Sequence, residues 1–308
     1  MKINQLKLYQ YRNYPYLTIS FEDNINVFLG HNAQGKTNIL EAIYYAAIGR
    51  SHRTYNDQEL INWDKTQAKV QIDFSRMGVE NQLSFLFQKD KRREIVYNGL
   101  KVKPNEAMGA LNVVLFSPED LMLIKGAPQE RRRFLDIEIS QANRVYYEML
   151  TKYNKIVQQR NAALKKIRES NMSDEMLDIW DEQLSVMSHR IVMKRKEAVD
   201  KLSMLANLMH RRLTQEKENL KISYIVHGQE EGETPSSEWY LTSLKKRRQL
   251  DIIRGSTSVG PHRDDITVDI AGTSARLFGS QGQQRLHFCR RRSHLGWRDR
   301  SCCSRYCT

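Results

Sequence analysis

The residues with the clearest chemistry stand in one run, Gly30-His31-Asn32-Ala33-Gln34-Gly35-Lys36-Thr37. Its spacing suits one task, holding the phosphates of a nucleotide. The glycines let backbone N–H groups approach phosphate oxygens, Lys36 brings a point charge to the β- and γ-phosphates, and the Thr37 hydroxyl can ligate Mg²⁺. This chemistry needs a strand before the loop and a helix after it. The run "NINVFLG" ends in the first glycine and reads as that strand. "KTNILEAIYYAAIG" puts Ile39, Ile43, Ala46 and Ala47 on one helical face and stops at Gly49.

Cysteine chemistry is confined to the end of the chain. Cys289, Cys302, Cys303 and Cys307 all fall in residues 286–308, so the preceding 285 residues carry no disulfide framework, which suits a reducing compartment. A metal set could be assembled from His287, Cys289 and His294 with the terminal cysteines. Adjacent Cys302 and Cys303 lack the usual paired-ligand spacing, and no metal site is expected there.

The elements that must position the loop follow from pattern. With 308 residues, 40% hydrophobic and 28% charged, the chain is long enough for one large or two ordinary domains. No window approaches about 18 uninterrupted apolar residues and the first sixteen have no apolar signal-like core, so a cytoplasmic protein without a membrane span is expected. "INQLKLYQYRNY" and "YLTISF" alternate as strands do, and "AKVQIDF", "QLSFLFQ" and "REIVYNGLKV" follow with Asn98-Gly99 as a hairpin turn. From Pro128 to Lys217 the period changes to helical. Tyr146, Met149, Tyr153, Ile156, Leu164 and Ile167 form one stripe; Leu177, Trp180, Leu184, Met187, Ile191 and Leu202 belong to a second, and a turn with Ser173 as N-cap separates them. "LKISYIVHG" and "ITVDI" return to strands, with at least one helix expected among them.

The net charge of +13 attracts polyanions. Residues 286–308 hold six Arg, no Lys and one Asp, which is +5 and leaves +8 for the rest. The body is basic without that tail.

"GHNAQGKTN" followed by "LEAI" resembles the phosphate loops of the SMC and RecF group of DNA-acting ATPases. A helix of about 44 residues from Ser173 to Glu216 would span roughly 65 Å, far short of an SMC arm, and is similar to the compact lobe of the RecF family. "PEDLMLIKGAPQERRRFLD", "GRSHRT" and "STSVGPHRDD" resemble that family's own patterns, and the resemblance runs almost continuously through residues 1–285. It implies an α/β fold, a P-loop ABC-type ATPase head split in sequence by an inserted helical lobe. Residues 1–127 would be the first part of the head, 128–221 the lobe, 222–285 the incomplete remainder of the head, and 286–308 an aberrant tail.

The implied activity is an ATP- and Mg-dependent DNA clamp of recombinational repair and replication restart. It would act at gapped single-strand/double-strand junctions with RecO and RecR and help RecA loading. Two chains would sandwich ATP, each offering Ser280, Gln281, Gly282 and Gln283 in trans to the γ-phosphate on its partner; a hydroxyl, an unobstructed backbone N–H and a helix N-terminus suit that role. Arg53, Arg131, Arg132, His262 and Arg263 are secondary site candidates. Read without the family, 131–133 is a charge run whose residues point in different directions on a helix, and Arg53 and His262 could equally be satisfied structural residues.

The pattern departs from the family after Arg285. The apolar strand ending in acids that would hold Mg²⁺ through water and position the attacking water does not follow; "VVLFSPED" and "ITVDI" both precede the signature. A shifted reading frame or truncated gene is the expected origin of residues 286–308. The C-terminal part of the head is then expected to pack poorly and hydrolysis to be impaired. Two other classes stay open, a P-loop small-molecule phosphotransferase and a non-catalytic architectural DNA binder.

Overall fold

The computed structural model describes residues 1–278 except 118, 119, 121, 171, 172 and 231. They form two units, Met1–Leu115 and a second that begins at Phe116. The signature Ser280, Gln281, Gly282 and Gln283, the cysteines and the tail lie outside the described residues.

The first unit is built on a six-stranded antiparallel sheet of order β2-β1-β3-β4-β5-β6, with β1 Lys2–Tyr11, β2 Tyr14–Ser20, β3 Gln67–Arg76, β4 Val79–Gln88, β5 Glu94–Tyr97 and β6 Leu100–Lys101. Period-2 alternation decides its faces. Leu6 and Leu8 of β1, Ala68, Val70, Ile72 and Phe74 of β3 and Leu83, Phe85 and Phe87 of β4 are all buried. Each large side chain so buried contributes roughly 1.5–3 kcal/mol. Helix α1, Lys36–Ile48, covers that face, and its Tyr45 ring meets Phe85 and Phe87 edge-on at 5.3 and 5.0 Å. Gly49 caps it in the left-handed region, its N–H donating to Tyr45 O. Asn98 (φ 49) and Gly99 (φ 81) supply the two positive dihedrals that a tight hairpin between β5 and β6 needs, and the short helix α2, Pro104–Ala107, follows.

The expected strand before the phosphate loop is not formed. Residues 21–30 carry no strand, and Ile25, Val27 and Leu29 are 61%, 71% and 88% exposed. An extended apolar segment becomes a strand only by pairing its backbone, and among the described residues this one joins neither sheet, its pairing with β1 ending at the Phe21 N–H that donates to Asn4 O at 2.9 Å.

The second unit opens with α3, Met122–Lys125, and the helices α4, Pro128–Ala142, α5, Arg144–Ser170, and α6, Asp178–Leu213. Pro128 begins α4, where its missing N–H leaves no hydrogen bond unmade. The predicted stripes face each other. Tyr146, Tyr153 and Ile156 of α5 share one core with Leu184, Ile191 and Leu202 of α6. Helix α6 has 36 residues, about 54 Å at 1.5 Å each, rather than the expected 65. Ser173 caps a 3₁₀ turn, Asp174–Leu177, instead of the α-helix itself, and at the other end Gln215 and Glu216 take left-handed backbone angles that no α-helix can continue through.

After α6 come β7, Leu220–Ile225, the helices α7, Ser237–Lys246, and α8, Arg248–Arg254, then β8, Asp265–Ile270, β9, Thr273–Ser274, and α9, Ala275–Phe278. The strands pair antiparallel in the order β7-β8-β9, and Ile222, Tyr224, Ile266, Val268 and Ile270 enter the same core as the helical stripes. Of the segment expected to pack poorly, residues beyond 278 lie outside the described residues; before them Val259, Ile266, Val268, Ile270 and Ala275 are buried in the core shared with the helices, while Thr267 and residues 271–273 are exposed.

Candidate nucleotide-binding site

The phosphate loop is shaped by its backbone. Gly30 (φ 151), Ala33 (φ 66) and Gly35 (φ 96) take positive dihedrals, and α1 starts directly after Gly35 with no side chain capping it and no acid in its first turn. The first N–H groups of a helix have no partner within it. Left uncapped beside a tight glycine turn, they suit an anion, and the helix dipole favours one there. The Lys36 ammonium folds back over the loop and donates to Gly30 O and His31 O at 2.7 Å each. Thr37 is exposed at the helix start, so its hydroxyl is open to a cation. Gly35 is also a close approach. A Cβ there would stand 2.6 Å from Asn13 Nδ2 and 2.7 Å from Tyr14 Oη, so any side chain would displace the neighbours of the loop.

Those neighbours escaped sequence reasoning. The turn between β1 and β2 brings Asn13 and Tyr14 to the loop, where both donate to Gln34 O at 3.3 Å. Asn38 donates to Asn13 Oδ1 at 2.8 Å and accepts from Arg53 Nη1 at 2.8 Å. Behind them Glu41, fully buried on α1, takes a two-pronged pair from Arg12 at 3.0 and 2.7 Å, a hydrogen bond from Ser51 and an ion pair with Arg53 at 3.7 Å. Burial alone would raise the Glu41 carboxyl; the Arg12 and Ser51 hydrogen bonds outweigh it and hold the group below the usual carboxylate range. Arg53, a sequence candidate, therefore sits within this assembly. A buried acid four residues after Thr37 in a helix was the available signal.

The other candidates stand in the second unit. Arg131 is buried and forks onto Asp265 at 2.7 and 2.8 Å while donating to Gly126 O, which corrects its reading as part of a solvated charge run. Arg132 donates to Asp264 O at 2.6 Å, and Arg263 to Thr257 O at 2.8 Å. His262 joins Tyr153 Oη through Nδ1 and Thr257 O through Nε2 at 3.0 Å. A carbonyl only accepts, so Nε2 carries the proton and Nδ1 accepts from the tyrosine. Burial pushes the imidazole down to about 4, with the Arg263, Arg132 and Arg195 cations adding to the effect. Asp264 is raised by the same burial. These side chains tie α4, α5, β8 and the 255–264 loop together within the second unit.

A phosphate loop opening a buried helix on an α/β unit, with a long helical region interrupting the strands in sequence, defines a P-loop ABC-type ATPase head split by a helical lobe. A domain family described as AAA domain matches residues 5–257. The DNA replication and repair protein RecF of Clostridium botulinum (strain Okra / Type B1) is 43% identical over 286 residues, covering 92% of this chain and 78% of the relative; that of Clostridium acetobutylicum is 41% identical with the same coverage. A solved structure of the recombination mediator protein RecF with ATP, in the RecFOR pathway, is 32% identical, with a TM-score of 0.90 over 96% of this chain and 80% of its own. A second, RecF-ATPrS, gives a TM-score of 0.88 over 95%. The chain belongs to the RecF family of DNA replication and repair proteins.

Among the described residues no helix is long and apolar enough to cross a membrane.

Proposed function

We propose that this chain is an ATP-dependent DNA-binding protein of recombinational repair. Residues 30–37 would hold ATP, with the glycine-turn amides and the start of α1 on the phosphates, Lys36 on the β- and γ-phosphates and Thr37 on the accompanying Mg²⁺. The observation that carries this reading is the uncapped start of α1 behind a backbone turn of positive dihedrals, with Lys36 already resting on loop carbonyls that a phosphate would replace as its partner. The solved RecF structure with ATP supports the same ligand.

Arg12, Asn13, Asn38, Glu41 and Arg53 are placed to keep the loop in shape rather than to react. Ser280, Gln281, Gly282 and Gln283 would complete the site in trans, which makes ATP the glue of a homodimer. Gapped DNA would be the ligand of the assembled pair, and RecO and RecR its partners, with RecA loading as the outcome in a cytoplasmic setting. The excess of basic residues supports contacts to phosphates without sequence preference.

Affinity for gapped DNA, measured with and without ATP and Mg²⁺, tests the reading. ATP is expected to tighten binding, and Lys36→Ala to remove that effect without unfolding the chain. Binding indifferent to ATP would identify an architectural DNA binder instead, and stoichiometric phosphorylation of a metabolite would identify a phosphotransferase.

A further inference from the structure

One face of the six-stranded sheet packs under α1; the other carries a row of exposed rings and ammonium groups. Tyr9 of β1 stands directly opposite Tyr16 of β2 and, on its other side, opposite Lys69 of β3. Directly opposed residues on antiparallel strands hold their Cβ atoms about 4.5–5.5 Å apart, so the three side chains lie side by side. Two residues along, Lys7 stands between Thr18 and Gln71 on the same face. Tyr9 is 44% exposed and Tyr16 66%. Their hydroxyls are oriented by neighbours, Tyr16 accepting from Thr18 at 2.9 Å and Tyr9 from Gln10 at 3.1 Å, which leaves the rings themselves open.

The same end of the sheet is extended by a turn. Asn62 N–H donates to Gln10 O at 2.8 Å, which seats Trp63, 91% exposed, beside the end of β1; Lys89 N–H donates to Thr66 O at 3.0 Å and brings the β4–β5 loop alongside. The carboxylates on the face are engaged. Asp73 faces Lys7 at 3.6 Å and accepts from Gln82 at 2.9 Å, and Glu94 pairs with Lys101 at 2.9 Å. Lys69 has no ion pair or side-chain hydrogen bond among the described residues.

Exposed rings in a row, with the unpaired Lys69 ammonium beside them and that of Lys7 held only by Asp73 at 3.6 Å, match single-stranded nucleic acid better than duplex, because only unpaired bases offer a ring face to stack. Building on the DNA-binding reading above, we infer that this sheet face is a platform for an unpaired stretch of DNA, with Tyr9 and Tyr16 stacking on bases and Lys7 and Lys69 meeting the phosphates. It would let the protein distinguish the single-stranded arm of a junction from the duplex beside it.

The test compares binding of the full chain to a fluorescent oligothymidylate, a blunt duplex and a duplex with a single-stranded overhang. Replacing Tyr9 and Tyr16 by Ala together is expected to weaken oligothymidylate and overhang binding by about tenfold for each ring lost, and to leave the blunt duplex within about twofold. Tyr9→Phe with Tyr16→Phe keeps the rings and is expected to retain binding. Tyr16→Ala alone, on the edge strand, gives a second variant whose folding is less exposed to risk. Equal weakening on duplex and single strand, or no weakening on either, overturns the platform. If the unsubstituted chain binds none of the three DNAs, it is the DNA-binding reading that falls; if it binds all three and the rings are indifferent, only the platform falls.

Discussion

Gly260 and His262 show how much of the second unit rests on single residues. Gly260 takes φ 132, and a Cβ there would collide with Tyr153 Oη. Gly260→Ala is expected to lower stability by about 1–3 kcal/mol through backbone strain and the displaced tyrosine, read as a lower urea midpoint at unchanged slope. His262 makes the same region sensitive to pH. Its pKa is about 4 in the folded chain and near 6.5 when free, so the unfolded chain binds the extra proton between those values. Its contribution is complete above pH 6.5 and is lost as pH falls toward 4, a loss of about 3 kcal/mol. His262→Gln should flatten the dependence of the urea midpoint on pH between 4 and 6.5 relative to the unsubstituted chain. An identical slope in both would place the effect elsewhere. Asp264, raised by burial, contributes in the opposite sense at the acid end but is common to both proteins.

Between elements, buried charge sets the registration of the helices. Arg160 of α5 is fully buried and donates to Asp181 of α6 and Asp251 of α8 at 2.7 Å each, and to Thr257 at 3.0 Å. Arg195 of α6 does the same work one region over, gripping Asp136 of α4 at 2.8 and 3.0 Å, Tyr224 of β7 and Pro261 O. Pairing outweighs what burial alone would do and holds the Arg195 cation well above its usual range. Such pairs favour one arrangement of otherwise similar apolar stripes, since a slip along a helix would strand a charge. Arg160→Met leaves two carboxylates buried, of which, among the described residues, Asp181 alone keeps another cation, Arg248 at 2.8 Å. The expected destabilisation is about 3–5 kcal/mol, measured by chemical denaturation, with hydrogen exchange accelerating first in α5 and α8.

For the molecule as a whole, charge and ligand linkage dominate. A chain of net charge +13 is expected to bind DNA with an affinity that falls linearly in log–log terms with salt, at a slope of about −0.9 for each duplex phosphate neutralised. Lys36→Ala should leave the slope measured without ATP unchanged, because Lys36 is turned onto its own loop carbonyls. ATP with Mg²⁺ at about one hundred times its dissociation constant should stabilise the native chain by about 2.7 kcal/mol. A thermal shift in the parent chain that Lys36→Ala abolishes would check both binding and its location.

The phosphate loop, the helix after it, the hairpin strands and the two helical stripes could all be read from the sequence, because each depends on spacing within a turn or two of chain. Asn98-Gly99 and Gly49 are local in the same way: their positive dihedrals are properties of those residues. Tertiary structure decided the rest. "NINVFLG" has the composition of a strand, yet pairing, which depends on distant backbone, was needed to make it one. Arg131, Arg132, His262 and Arg263 look alike as surface charge or as site residues until Asp264, Asp265, Tyr153 and Thr257 are brought against them. Asn13 and Tyr14 reach the phosphate loop only because a hairpin twenty residues upstream in sequence folds beside it. Residue type and spacing set what chemistry was available; burial and long-range contact set which of those residues were spent on holding the fold.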